Sequence, residues 1–228
     1  MTKHEVVKQR MKHIREDWFS EHKATVEKHG DLTVVKWRKP NTGVYAVRYV
    51  FDEHYLYISG DIGEAVFNFT WDARPSDFKR IDVDYLHGKL AAIRDADEYD
   101  FDGDVAINTI KTCWKDELDE AYADEVKDDE TEEYEGIYMT SEDASEYLKS
   151  YPEIAKADVI DITEELFEAA EESCNQRDWS DKINHINWDK IDQDAYEWIY
   201  DCGNVYAYRF LAYLVGLQMI AEQIDSEN

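Results

Sequence analysis

The sequence predicts an α+β fold, and three observations carry that prediction. Apolar residues open the chain at spacings of three and four (Val6, Val7, Met11, Ile14, Trp18, Phe19), the period falls to two between Leu32 and Trp71, and helical spacing returns beyond. Strands and helices that come in blocks rather than in strict alternation mark a sheet with helices on one side.

Each element has its own signals. The first helix is expected from residue 2 to about residue 29, with Gly30 as its stop. Leu32, Val34 and Trp37 begin a strand, Pro40-Asn41-Thr42-Gly43 supplies turn chemistry, and Val44 to Tyr49 alternate on the return, so this pair reads as a hairpin. A turn at Asp52-Glu53-His54 brings the chain back as Tyr55 to Ser59, and Gly60-Asp61-Ile62-Gly63 leads into a strand from Glu64 to Trp71. The expected sheet is an antiparallel meander of three to four strands with the N-terminal helix on one face. Val83, Leu86, Leu90 and Ile93 predict a further amphipathic helix after Arg74-Pro75-Ser76. Residues 1–94 thus form one α+β unit, and residues 95–228 a mainly helical region packed on it or continuous with it.

In that second region Val105, Ile107, Ile110, Trp114, Leu118 and Tyr122 keep a helical stripe. Thr140-Ser141-Glu142-Asp143 reads as the start of a helix that Pro152 ends, and Asp161 to Glu165 as the cap of another that buries Leu166, Phe167 and Ala170. Beyond Gly203, Tyr206 to Ile224 is apolar on most faces. Such a helix is either central to the core or half of a homodimer interface.

Charge is the feature that bears on function. Residues 1–94 carry 16 Lys and Arg against 14 Asp and Glu, whereas residues 95–228 carry 9 against 39. The density peaks from Asp95 to Glu146, where 21 acids meet three Lys in 52 residues. Self-repulsion of that size works against a compact state, so the excess is read as serving a partner. On a helix rising about 1.5 Å per residue, one acid per about 2.5 residues gives one charge per roughly 3.7 Å, close to the roughly 3.4 Å phosphate spacing of a DNA strand.

The candidate partner-binding residues are Asp95, Asp97, Glu98, Asp100, Asp102 and Asp104, then Asp116, Glu117, Asp119, Glu120, Asp124 and Glu125, and finally Asp128, Asp129, Glu130, Glu132, Glu133 and Glu135. The last group lies in Lys127 to Glu135, which has no apolar stripe and reads as a loop. Direct nucleic-acid and anionic-membrane binding are disfavoured, because both require Lys and Arg. The surface fits the basic cleft of a DNA- or RNA-binding protein; its plain alternative is a solvated acidic face.

Other motifs point less far. Glu98, Asp100 and Asp102 stand at the first three oxygen positions of a calcium loop with Gly103 at its turn, but Thr109 occupies the place of the bidentate Glu, so the site is weak and no cofactor is expected. Ser59 to Glu64 resembles a phosphate loop only in its glycines and leads into a strand, so those glycines are turn formers. Asp61 and Glu64 form one of many carboxylate pairs that 53 acids produce by chance. His13, His22 and His29 miss the spacing of a metal pair and read as surface residues. Lys36, Trp37, Arg38, Lys39, Tyr45, Arg48 and Tyr49 could stack single-stranded bases, or pair and pack within the sheet. Cys113, Cys174 and Cys202 are odd in number and form no CxxC, which favours reduced thiols and a cytoplasmic setting; no secretory signal and no membrane span is expected.

Two stretches, SGDIGEAVFNFTW (Ser59 to Trp71) after the WRKPNTGVYAVRY strand pair, and YEWIYDCGNVYAYRFLAYLVGLQMIAEQI (Tyr196 to Ile224), resemble a group of proteins of unassigned activity encoded by phages and prophages of Gram-positive bacteria. The resemblance covers about half the chain, at both ends, and transfers no catalytic residue. It implies a phage context, in which a small acidic protein looks like an inhibitor of host defence of the anti-CRISPR or anti-restriction type, acting in the cytoplasm of the infected bacterium. A replication or recombination accessory protein docking a basic partner is the second expectation. An enzyme with a site dispersed in sequence is the third.

Overall fold

The computed structural model describes residues 1–95, 97–119 and 156–227. The chain divides into two compact units, one of residues 3–100 with 205–228 and one of residues 101–204 with 1–2. The first holds a six-stranded antiparallel sheet in sequence order and the second is helical, so the mixed α+β class stands while the strand count exceeds the expected three to four.

Two additional strands account for the difference. Helix α1 (Lys3–His13) ends in a π-helical turn, Ile14–Trp18, whose closing bond runs from the Phe19 amide to the Ile14 carbonyl (2.9 Å). The residues assigned to the rest of that helix form strand β1 (Lys23–His29), paired in full register with β2 (Leu32–Arg38). As an edge strand rich in Lys, Glu and His it carries little apolar alternation, which is how edges are protected and why the period of two was invisible. Gly30, at φ +63°, is therefore the first central residue of a tight hairpin rather than a helix stop.

Strands β3 (Val47–Asp52), β4 (Tyr55–Gly60) and β5 (Glu64–Asn68) follow the expected meander, with β3 beginning later than anticipated because Tyr45 adopts φ +54°. A 3₁₀ turn (Pro75–Arg80) and a short α2 (Val83–His87) lead to β6 (Leu90–Arg94). In the sequence Leu90 and Ile93 imitate a helix because they lie three apart. A bulge at Val66/Phe67 sets Ala65 opposite Ile93 and Phe67 opposite Leu90, so one extra residue gives this strand a helix-like spacing.

The chain continues through β7 (Tyr99–Phe101) into the helical unit: α3 (Gly103–Cys113), a further helical run over residues 115–119, α4 (Lys156–Glu172) and α5 (Gln176–Ile183). Asp102 caps α3 by accepting from the Val105 amide, and Asn175 caps α5 by accepting from that of Asp178. Trp114, Leu166, Trp179, Ile183 and Ile199 form this unit's core, and the buried Trp179 indole donates to the Ile199 carbonyl at 2.9 Å. Three 3₁₀ turns carry the chain to β8 (Asn204–Tyr206), which pairs with β7, and then to α6 (Tyr208–Glu227).

Helix α6 is central to the sheet unit's core. Phe210, Leu211, Tyr213, Leu214, Leu217 and Ile220 are buried with Val35, Trp37, Tyr49, Leu56 and Phe67 of the sheet, and Val7 and Ile14 join them from the N-terminal segment. The Tyr49 hydroxyl donates to the Tyr213 carbonyl (3.2 Å) directly over Gly216, where a Cβ would stand 2.2 Å from that oxygen. Glycine inside a helix costs about 1 kcal/mol relative to alanine; here the close approach of a buried tyrosine requires it.

Candidate functional site

Acid is concentrated in the helical unit. Residues 101–204 hold 32 of the 53 acids and 8 of the 25 Lys and Arg, so the charge imbalance follows the structural division. Within it, α4 has the most regular acidic face. Ile162, Thr163, Leu166, Ala169 and Ala170 are buried at helical spacing, and the Thr163 hydroxyl donates to the Val159 carbonyl, so no polar group on that side is left unpaired. Between residues 161 and 172 every exposed position is an acid: Asp161, Glu164, Glu165, Glu168, Glu171 and Glu172. The last turn of α4 contains no base, although that end of a helix favours one. Among the described residues the ridge has one ion pair, Glu172 with Lys182 at 3.5 Å.

The residues singled out by charge density alone divide differently. Asp97, Asp104, Asp116 and Glu117 are exposed and available. Asp119 is also exposed and bonds Lys115 at 2.5 Å. Asp95 lies at φ +56°, with its carboxylate 3.4 Å from Arg94 and its carbonyl accepting from Arg209. Glu120, Asp124, Glu125, Asp128, Asp129, Glu130, Glu132, Glu133 and Glu135 lie outside the described residues, as do Tyr122 and the helix expected before Pro152.

Glu98, Asp100 and Asp102 each have a partner within the fold. Glu98 bonds His87 (2.8 Å), Asp100 takes the guanidinium of the nearly buried Arg10 (2.6 Å), and Asp102 caps α3. The three carboxylates of the calcium reading are thus committed to three different protein groups. Among the described residues no cluster of His, Cys, Asp and Glu is arranged to hold a metal ion.

The basic and aromatic set of the sheet separates by face. Trp37 and Tyr49 point into the core, whereas Lys36, Arg38 and Arg48 are exposed on the other side, so these aromatics present no stacking platform beside those bases. Lys36 pairs with Glu27, Lys39 with Glu21, and Tyr45 stacks on Trp18 with centroids 4.4 Å apart. His13 and His29 lie at the surface beside Asp17 and Glu27, but His22 does not: it is 8% exposed, bonded to the Tyr45 carbonyl at 3.2 Å, and desolvation holds its pKa below 6.5. Asp61 accepts from the Tyr45 amide, so the Gly60–Gly63 connection is a turn with an internal anchor. All three cysteines are free, and burial pushes the Cys202 thiol up to about 12.

Folding also assembles a polar cluster from distant segments. The His87 Nε2 meets Glu98 at 2.8 Å and the Tyr99 hydroxyl at 3.2 Å, beside a cleft of about 170 Å³ lined by His87, Leu90, Ile93 and Glu98. Tyr206 donates to Asp84 (2.8 Å), and burial together with that bond raises its pKa.

Sequence reasoning missed the ridge on α4 because it weighed acids by density and stopped at Glu146. The signal was their period: acids at 161, 164, 165, 168, 171 and 172 complement apolar residues at 162, 166, 169 and 170. Among the described residues no helix is long and apolar enough to cross a membrane. No protein-family model, curated protein or solved structure matches the chain.

Proposed function

We propose that the chain is a phage-encoded, non-enzymatic inhibitor of a host defence system. It presents an anionic surface in place of nucleic acid to the basic cleft of a nuclease, helicase or CRISPR-type effector, and competes with DNA or RNA for that cleft. The observation that supports this reading most is the exposed side of α4. Its six carboxylates span eleven residue steps, about 16 Å of helix at a charge per roughly 3.3 Å, against roughly 3.4 Å between phosphates of one DNA strand. The exposed Asp104, Asp116, Glu117 and Asp119 add acid to the same unit. A surface of one sign also steers association with a basic cleft and weakens as salt rises.

The test is capture from a Gram-positive bacterial lysate by the immobilised chain, with elution by salt steps and, separately, by duplex DNA. A nucleic-acid-handling protein displaced by both, and not retained when Asp161, Glu164, Glu165, Glu168, Glu171 and Glu172 are changed to Asn or Gln, is the expected result. Equal retention by the neutralised chain removes the ridge from the mechanism. A ternary complex with DNA favours the accessory-protein reading instead. An enzymatic reading draws on the His87–Glu98–Tyr99 cluster, and loss of function in His87→Gln with the captured complex intact would favour it.

A further inference from the structure

The sheet unit contains a cleft whose chemistry differs from the rest of the protein. It encloses about 340 Å³ between the β1–β2 hairpin, the Arg74-Pro75-Ser76 segment and the C-terminal part of α6, lined by Val26, Lys28, Thr33, Arg74, Pro75, Ser76 and Ile224. Val26 shares the core-facing side of β1 with its partner Val35, yet it is 41% exposed while Val35 is fully buried. The core is left open at this edge, and the opening has apolar walls.

Its rim is cationic. Among the described residues Lys28 and Arg74 form no ion pair, in a chain with more than twice as many acids as bases. Of the carboxylates nearest them along the chain, Glu27 pairs with Lys36, Asp72 lies 3.1 Å from His54, Asp77 accepts from the Arg74 backbone amide, and Asp31 is exposed in the hairpin turn. Ser76, whose hydroxyl donates to the Asp77 carboxylate at 3.5 Å, lines the cleft on the Arg74 side. Apolar walls with a few convergent polar groups and a volume of this order are the usual composition of a small-molecule site.

We infer that this cleft binds a small organic carboxylate with an aliphatic or aromatic body, its apolar part against Val26, Pro75 and Ile224 and its carboxylate between Lys28 and Arg74. An inorganic anion would gain nothing from the walls, a neutral apolar molecule would leave both cations unpaired, and an organic cation would be repelled. The inference does not depend on the proposed mimicry, since it concerns a separate set of residues.

Amide-resolved NMR titration of the full chain with octanoate, 1-octanol and octylammonium tests it. Saturable shifts confined to Val26, Lys28, Thr33, Ser76 and Ile224 are expected with octanoate, with 1-octanol at least about tenfold weaker. The double variant Lys28→Glu, Arg74→Glu, both at exposed positions, should weaken octanoate binding by at least about tenfold and turn the preference toward octylammonium. An unchanged spectrum elsewhere establishes that the variant is folded. Equal response to the three probes, absence of saturation, or an octanoate affinity indifferent to charge reversal would each overturn the site.

Discussion

Neutralising the α4 ridge should stabilise the helical unit, which is the opposite of what most substitutions in a folded protein do. The variant is Glu164, Glu165, Glu168 and Glu171 to Gln, leaving Asp161 and the Glu172–Lys182 pair in place. The native ridge contains six like-charge pairs at i,i+3 or i,i+4: 161–164, 161–165, 164–168, 165–168, 168–171 and 168–172. Each costs about 0.2–0.5 kcal/mol at low ionic strength, so removing them returns about 1–3 kcal/mol. Taking Glu171 away from the carbonyl end of the helix adds about 0.3–1 kcal/mol. At about 2 kcal/mol, hydrogen exchange of α4 amides limited by opening of this unit should slow roughly thirtyfold in low salt. The gain should shrink toward zero near 1 M salt, where the screening length is about 3 Å. Unchanged or faster exchange at low salt would refute the reasoning, because the acids would then hold the fold rather than strain it.

Two further predictions concern the sheet unit. Gly216→Ala should destabilise it by about 1–3 kcal/mol, because the new methyl would stand 2.2 Å from the Tyr49 hydroxyl. In a Tyr49→Phe background the same change should cost clearly less, although the ring carbon that carried the hydroxyl still stands 3.2 Å away; additive losses in urea unfolding of the two singles and the double would rule out this contact as the reason for glycine. His22 gives the pH dependence: its folded pKa lies below the 6.5 of the unfolded chain. Its contribution is therefore complete above pH 6.5 and is lost as pH falls through that value toward the folded pKa, where the unfolded state binds the proton first. His22→Gln should flatten the fall in urea midpoint between pH 7.5 and 5.5 relative to the native chain, and an identical slope in both would exclude His22 as its source.

The parts of the fold that were legible share one property: their apolar pattern had a single cause. Val47, Tyr49 and Phe51 alternate with Arg48 and Val50 because one face of β3 is core, and the period of two appears directly. Tyr206 to Ile224 read as core or interface because it is apolar nearly all round, and its burial inside the sheet unit decides for core. The illegible parts had two superposed causes. Strand β6 combined strand geometry with a bulge and imitated a helix, and β1 combined a strand with the charge that protects an edge and gave no pattern. The partners of the acids near residue 100 are hidden from the sequence for a different reason. Arg10 and His87 are remote in sequence or lie across a loop, and no local pattern announces that Asp100 will be neutralised by a guanidinium ninety residues away.

Whether the α4 face is more than a solvated surface turns on the arrangement of its charge rather than the amount. Burying Leu166 fully contributes on the order of 2 kcal/mol by itself, and Ile162, Ala169 and Ala170 add to it, so the buried side outweighs the repulsion on the exposed side and the helix forms. Solubility, however, needs no repulsion at all: acids and bases interspersed at i,i+4 solvate a helix equally well and stabilise it by a few tenths of a kcal/mol per pair. The neighbouring α5 follows that pattern, with Lys182 beside Asp178 and Arg177 beside Asp181. Over the same chain and in the same unit, α4 places six acids and no base on its exposed positions from 161 to 172. A requirement for solubility predicts the arrangement of α5 on both helices; a requirement for an unbroken row of negative charge predicts α4, at a cost in stability that the proposed cationic partner would offset.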